Sequence, residues 1–187
     1  MTFSALLDAN VLVPVALADT LLAAAEQELY RPLWSGRILA ETRRAILRVH
    51  PHLDPSRVDA RLHAMNDAFE DALVQDWEPL MAGIQLGADP NDRHVVAAAL
   101  RGGAEAVATA NVRDFPAQAM RALGLHAVSP DDFLLDLADL DERAMVRAIW
   151  NQAKAKARPP RTPTEILDSL TAAGVPAFAQ RMRHTVG

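Results

Sequence analysis

The sequence predicts an α/β protein, with a central, mainly parallel sheet within residues 1–140 and a small all-helical appendage over residues 141–187. Three observations predict it. Residues 3–7 (FSALL) and 106–109 (AVAT) are short, largely apolar runs, the pattern of strands buried on both faces of a parallel sheet. Segments with helix caps and helical spacing alternate with such runs, as crossovers between parallel strands require. Beyond Asp141 only helical signals continue.

In chain order, the first strand stops at Asp8, and Asp19 or Thr20 is placed to cap a helix to about Glu28. A short apolar stretch around Leu33 and Trp34 precedes Ser35, an N-cap candidate for a helix to about Val49. On that helix Ile38 and Ala45, like Leu39 and Ile46, lie seven residues apart, and Glu41, Arg44 and Arg48 form a polar stripe. Asp54-Pro55, a cap followed by proline in the first turn, opens a helix to about Ala72. Residues 88–91 (ADPN) mark a turn or cap, and an alanine-rich helix over 95–100 ends at Gly102-Gly103. After the strand at 106–109 come a helix over 116–123, a short strand at Ala127-Val128, and a helix opened by Ser129-Pro130-Asp131-Asp132. In the appendage, a helix to about Ala157 meets the stiff break RPPRTP; Thr162, Pro163 and Glu165 then cap a helix to about Gly174, and a last one covers 176–183.

The 187 residues, half of them apolar, suffice for one good core, or one core plus an appendage. No apolar run is long enough to span a membrane, and the N-terminus lacks the basic region of a signal peptide, so a cytoplasmic location is expected. With no cysteine, disulfides, thiolate metal sites and thiol nucleophiles are excluded. The net charge of −5 is unevenly spread: residues 1–140 carry 20 acidic and 11 basic side chains, residues 141–187 carry 4 and 8. A basic tail on an acidic body implies either an anionic partner or docking on the body itself.

Asp8, Glu41, Asp92 and Asp114 are the candidate site. Asp8 directly follows the first strand, Asn111 and Asp114 follow the second, and Asp92 falls in the first turn of its helix, where the dipole favours a carboxylate. Taken singly, each is an ordinary turn, cap or helix-face residue. Brought together, four carboxylates need cations to neutralise them, and one or two Mg²⁺ or Mn²⁺ ions suit hard oxygen ligands. Asp-x-Asp phosphatase chemistry is disfavoured because position 10 is Asn, and no GxGxxG, P-loop or HExxH pattern occurs. His94 reads as a packed or surface histidine, and Trp34, Trp77 and Trp150 as core or interface.

The blocks DANVL, WSGRILAETRRAIL, DPNDRHVVAAAL and TANVRDF, in this order, resemble the PIN-domain ribonucleases, and within them the VapC-like toxins of bacterial toxin–antitoxin pairs. The resemblance spans residues 3–137, closing on SPDDFLLDL, and leaves a helical extension of about fifty residues that a subset of such toxins carries. It implies a three-layer α/β/α fold. It also implies that Asp8, Glu41, Asp92 and Asp114 are the metal-binding catalytic set, with Thr109 and Asn111 as outer groups orienting Asp8 or a water. The implied activity is metal-dependent cleavage of single-stranded or looped RNA, leaving a 5′-phosphate and a 3′-hydroxyl. The implied partners are an antitoxin and a second copy of the chain. An acidic body needs positive side chains to track RNA, and Arg43, Arg44, Arg93 and Arg113 each lie within three residues of a proposed ligand. Three alternatives stay open: a catalytically silent PIN-fold RNA-binding or scaffold module, a related DNA nuclease, and a metal-dependent phosphohydrolase acting on small esters.

Overall fold

The computed structural model describes residues 3–85, 90–155 and 160–186, so Asp89 and the lysine at 156 lie outside the described residues. The chain divides into two compact units: Phe3–Val13 with Pro32–Val128, and Pro14–Arg31 with Ser129–Gly187. The first unit carries the sheet and the second is helical.

The sheet comprises β1 (Ser4–Leu7), β2 (Arg31–Ser35), β3 (Leu73–Val74), β4 (Ala106–Ala108) and β5 (His126–Val128), in the order β3-β2-β1-β4-β5. β1 pairs with β4, β4 with β5 and β2 with β3, all parallel; Leu6 faces Val107 in the central pair. β1 and β4 are buried along their whole length, which explains their lack of polar alternation. The expected α/β class with a parallel sheet and added C-terminal helices is the one found.

Four helices of this unit position the site. α1 (Ala9–Leu12) is a single turn that the sequence did not announce. Between it and the next of the four lies α2 (Val15–Glu26), which belongs to the helical unit. α3 (Gly36–Val49) starts where expected, with Ser35 Oγ accepting from the Ile38 amide at 3.2 Å. α4 (Pro55–Ala68) is capped by Asp54 as the Asp-Pro pair implied, but it stops four residues short of Ala72. There the backbone turns through Phe69 into a 3-10 turn at Glu70–Ala72, and Leu73-Val74 pairs with Trp34-Ser35. A two-residue strand is too short for any periodicity to reveal. α5 (Arg93–Gly102) packs on β1, β3 and β4.

α5 ends on Gly103, whose φ of +67° is the left-handed cap that glycine adopts without strain. The preceding glycine serves a different end. A Cβ on Gly102 would lie 2.8 Å from Leu33 Cδ1 and 2.9 Å from Val74 Cγ2, and the β-branched Val74 has little rotamer freedom. Gly102→Ala is therefore expected to destabilise the protein by about 1–3 kcal/mol in urea unfolding, the range for overpacking.

The helical unit contains α2, α7 (Pro130–Leu140), α8 (Glu142–Ala155), α9 (Pro163–Ala172) and α10 (Pro176–Val186); α6 (Ala117–Ala122) lies in the sheet unit beside β5. Neither Asp19 nor Thr20 caps α2. It begins at Val15, after Pro14. Thr20 is buried instead, its hydroxyl hydrogen-bonded to Ala16 O at 2.9 Å and to Gln152 Oε1 at 2.7 Å. α2 packs on α8 and α9, and α10 packs on α9 and α7. Tyr30 meets Phe133 edge-on at 5.0 Å and donates to Leu21 O at 3.0 Å; burial pushes its phenol pKa far up. The expected capping box of α9 is present between Thr162 and Glu165. Asp131 takes a role the sequence did not suggest, accepting from the Ala177 and Phe178 amides at the start of α10.

α2 ends through Glu28 at φ +59°, a conformation that costs a non-glycine residue stability. Glu28→Gly is expected to raise unfolding free energy by about 0.5–1 kcal/mol, as relief of the left-handed conformation outweighs the greater unfolded-state freedom of glycine. The tail's charge is partly engaged within its own unit: Arg181 with Asp139 and Glu142, Arg183 with Asp168 at 2.6 Å. No helix among the described residues is long and apolar enough to cross a membrane.

Candidate active site

In the sheet order the chain moves outward from β1 to β2 and β3 on one side, then returns to β4 and β5 on the other. The crevice beyond the carboxyl ends of β1 and β4 is thus the topological switch point, where open α/β sheets bind ligands. Asp8 and Thr109 are the residues that follow those two strands, and backbone bonds from Asp8 N to Ala108 O (3.1 Å) and from Thr109 N to Val128 O (3.0 Å) carry the ladder up to them.

Their side chains are joined. Thr109 Oγ1 donates to Asp8 Oδ2 at 2.8 Å and accepts from Asn10 Nδ2 (3.0 Å) and the Asn111 amide (3.1 Å). Asn10 Nδ2 also reaches Asp8 Oδ2 at 2.6 Å, while its Oδ1 accepts from the Ala110 amide at 2.9 Å. Asp8 Oδ1 accepts from the Ala9 amide at 2.7 Å and so caps α1. Burial raises the Asp8 pKa above the ordinary carboxylate value, and the negative charge of Glu41 pushes the same way; the bonds from Thr109, Ala9 and Asn10 oppose this without cancelling it. Asn111 enters through its backbone, and its residue is exposed.

Glu41 occupies the α3 face turned toward this crevice, close enough to perturb Asp8. Its Oε1 lies 3.1 Å from Arg37 Nε and 3.9 Å from Arg44 Nη2, and its Oε2 lies 3.2 Å from His94 Nε2. His94 is buried, with Trp77 against it at 6.0 Å between ring centroids. Burial pushes the imidazole pKa down to about 4, Arg37 adds to this, and Glu41 opposes it, so at neutral pH the ring is uncharged and the 3.2 Å contact is not an ion pair. Between pH 6.5 and about 4 the unfolded chain therefore holds more proton at His94 than the folded one, and stability falls as pH falls through that window. Urea unfolding in EDTA should show this slope, and His94→Gln should flatten it.

The other acidic candidates stand differently. Asp92 is the N-cap residue of α5, yet its side chain makes no capping bond there. Asp114 ends an exposed 3-10 turn, Val112–Asp114. Among the described residues no group of three or more His, Asp or Glu side chains stands in metal-holding geometry. The structure thus places Glu41 near enough for its charge to act on Asp8 and, among the described residues, does not gather Asp92 and Asp114 with them into a metal-holding group. Of the arginines, Arg44 and Arg113 are exposed, Arg93 has a buried Nε with no hydrogen-bond partner among the described residues, and Arg43 is turned to Asp59 in a two-bond pair.

The donor chemistry of Asp8 and Glu41 fits a hard divalent cation. Asp8 is buried, its pKa is raised by that burial and further by the charge of Glu41, and a cation would relieve both. Sequence reasoning missed Asn10, Arg37 and the Glu41 contact of His94. Asn10 stands inside the DANVL block, and Arg37 precedes Glu41 by one helical turn, so spacing alone could have drawn attention to that pair. The His94 contact crosses between helices and leaves no trace in local spacing.

The PIN domain family model matches residues 4–113, and a model described as VapC50 C-terminal domain matches residues 130–184. The second match begins with α7, as the helical unit's C-terminal segment does. A protein of Mycobacterium tuberculosis named "Putative ribonuclease VapC50" is 45% identical over 92 residues, which are 49% of this chain and 54% of that relative. The chain therefore spans about half the length of the curated relative it matches. No solved structure matches. With more than half of its length matched by the PIN domain model, including the strand ends that carry Asp8 and Thr109, the chain belongs to the PIN-domain family.

Proposed function

We propose that the protein is a metal-dependent endoribonuclease, the toxin of a toxin–antitoxin pair, acting in the cytoplasm on RNA. The observation that carries the reading is the position of Asp8 at the switch point of a PIN-family sheet, with Glu41 lining the same groove as the neighbouring Ala9. Asp8 and Glu41, joined by Asp92 and Asp114, would hold one or two Mg²⁺ or Mn²⁺ ions. When bound, such an ion acidifies a water and offsets the charge that builds on the phosphate. Thr109 and Asn10 hold the Asp8 carboxylate in place through Oδ2. Arg44, with Arg48 on the same stripe, borders a groove of about 400 Å³ that also contains Glu41 and Ala9, and this groove suits a phosphate backbone. Arg93 and Arg113 stand beside Asp92 and Asp114 in sequence, while Arg43 is occupied by Asp59. The expected partners are an antitoxin whose basic segment enters the acidic crevice, and a second copy of the chain.

The test is cleavage of a labelled total-RNA pool in Mn²⁺ or Mg²⁺, with EDTA and Asp8→Asn as controls. Discrete metal-dependent fragments, lost in the variant, support the reading. A second reading, a catalytically silent PIN-fold RNA-binding module, is favoured by one observation: no three-carboxylate group is assembled among the described residues. RNA binding without metal binding would establish it.

A further inference from the structure

We infer that His94 is a positioning residue which, through the 3.2 Å contact of its Nε2 with Oε2, fixes the Glu41 carboxylate for a divalent cation. This rests on the nuclease reading above. Glutamate has three rotatable side-chain bonds, and an unheld one must be ordered whenever it takes part in binding. The two Glu41 oxygens are held in unequal ways.

Oε1 is met by Arg37 and Arg44, whose side chains are 40% and 72% exposed and which stand on the same helix as Glu41. Exposed pairs of this kind are weak, and such arginines can swing into solvent. Oε2 is met by His94, only 3% exposed, on a different helix and packed against Trp77. That ring has no solvent to move into. Glu41 therefore has one oxygen pinned from α5, the helix that opens at Asp92, and one oxygen that exposed groups can release.

The hydrogen-bond balance of the ring supports a functional reason for it. Nε2 must carry the proton to serve a carboxylate, which leaves Nδ1 as a bare acceptor, and Nδ1 is buried with no partner among the described residues. A buried, unpaired nitrogen lowers stability. An aromatic hydrocarbon would fill the space beside Trp77 without that loss. What a ring nitrogen supplies and a hydrocarbon does not is the polar contact with Glu41 Oε2 at 3.2 Å. Groups that hold metal-binding side chains in this way commonly change metal affinity 10–100-fold when removed.

The test is Mn²⁺ titration calorimetry on the full chain, with thermal melts in EDTA alongside. Wild type is expected to bind Mn²⁺. His94→Phe should bind about 10-fold or more weakly while melting in EDTA no lower than wild type. His94→Gln, whose amide can donate to Glu41, should recover most of the lost affinity, and Arg37→Gln should change it less than about 3-fold, as loss of an exposed pair does. His94→Leu replaces the phenylalanine variant if that one does not fold. Wild-type affinity in a folded His94→Phe, or no advantage of glutamine over phenylalanine, overturns the inference. So does a loss in Arg37→Gln equal to that in His94→Phe. If wild type binds Mn²⁺ and cuts RNA yet the His94 variants are unmoved, this inference fails alone; a wild type that binds no Mn²⁺ removes the nuclease reading and this inference with it.

Discussion

Asp8→Asn is expected to lower metal-dependent RNA cleavage by about 10³-fold or more, equivalent to ~4 kcal/mol of barrier. The change removes one negative charge and almost no volume. Oδ1 can still accept from the Ala9 amide, so the cap on α1 survives. At the other end an amide NH₂ would face Asn10 Nδ2 and the Thr109 hydroxyl, where the carboxylate now accepts from both. Thr109 Oγ1 already accepts from Asn10 and from the Asn111 amide, which fills its two lone pairs, and Asn10 is held the other way round by Ala110, so neither can receive that NH₂. Against these lost bonds stands relief of a buried charge and of repulsion from Glu41, the two causes that raise the Asp8 pKa. In EDTA the variant should therefore melt close to wild type. In Mn²⁺ it should melt lower, because only the wild type gains stability from a bound ion. An Asp8→Asn protein that cleaves at the wild-type rate would remove Asp8 from the chemistry.

Truncation after Leu140 is the second large effect, and it falls on stability. The cut removes α8, α9 and α10, and with them the fully buried Met145, Ile149, Ile166, Leu167, Leu170, Phe178 and Met182. Each such side chain contributes about 1.5–3 kcal/mol when buried, while a whole domain is stable by about 5–15 kcal/mol, so the helical unit cannot survive the loss. α2, which packs on α8 and α9, would be left with an uncovered apolar face, and Thr20 without Gln152. Hydrogen exchange should show residues 14–31 unprotected in the truncated chain. Protection equal to wild type there would mean that α2 is held by something other than these helices. The same reasoning makes truncation a poor test of whether the basic tail binds RNA. Charge changes at exposed positions such as Arg143 and Lys154 leave the core intact and let the salt dependence of RNA affinity be read directly.

The sheet was legible because β1 and β4 are buried on both faces and announce themselves as largely apolar runs, whereas β3 owes its existence to a neighbour, pairing with Trp34-Ser35. Caps were legible wherever the sequence paired a cap with proline or an acidic N3 residue, as at Asp54, Ser129 and Thr162. Thr20 misled for a physical reason: its hydroxyl is satisfied by a distant buried glutamine, which no local pattern encodes. At the site, the positions of Asp8 and Thr109 followed from the strands they end. The roles of Asn10 and His94 did not, because each depends on contacts between elements. Trp34 and Trp77 are buried as expected, while Trp150 is 42% exposed.

The helical unit is sewn from two stretches of chain far apart in sequence, Pro14–Arg31 and Ser129–Gly187. During synthesis α2 emerges early and must wait for the helices that cover it, made at about 5–20 residues per second. The sheet unit has the same history on a smaller scale, since β1 waits for β4. Both units therefore close late, across long loops, and such non-local closure is slow. No ribosome-bound fragment that ends before β4 can place Thr109 beside Asp8, so a nascent chain carries no finished site until most of it has been translated.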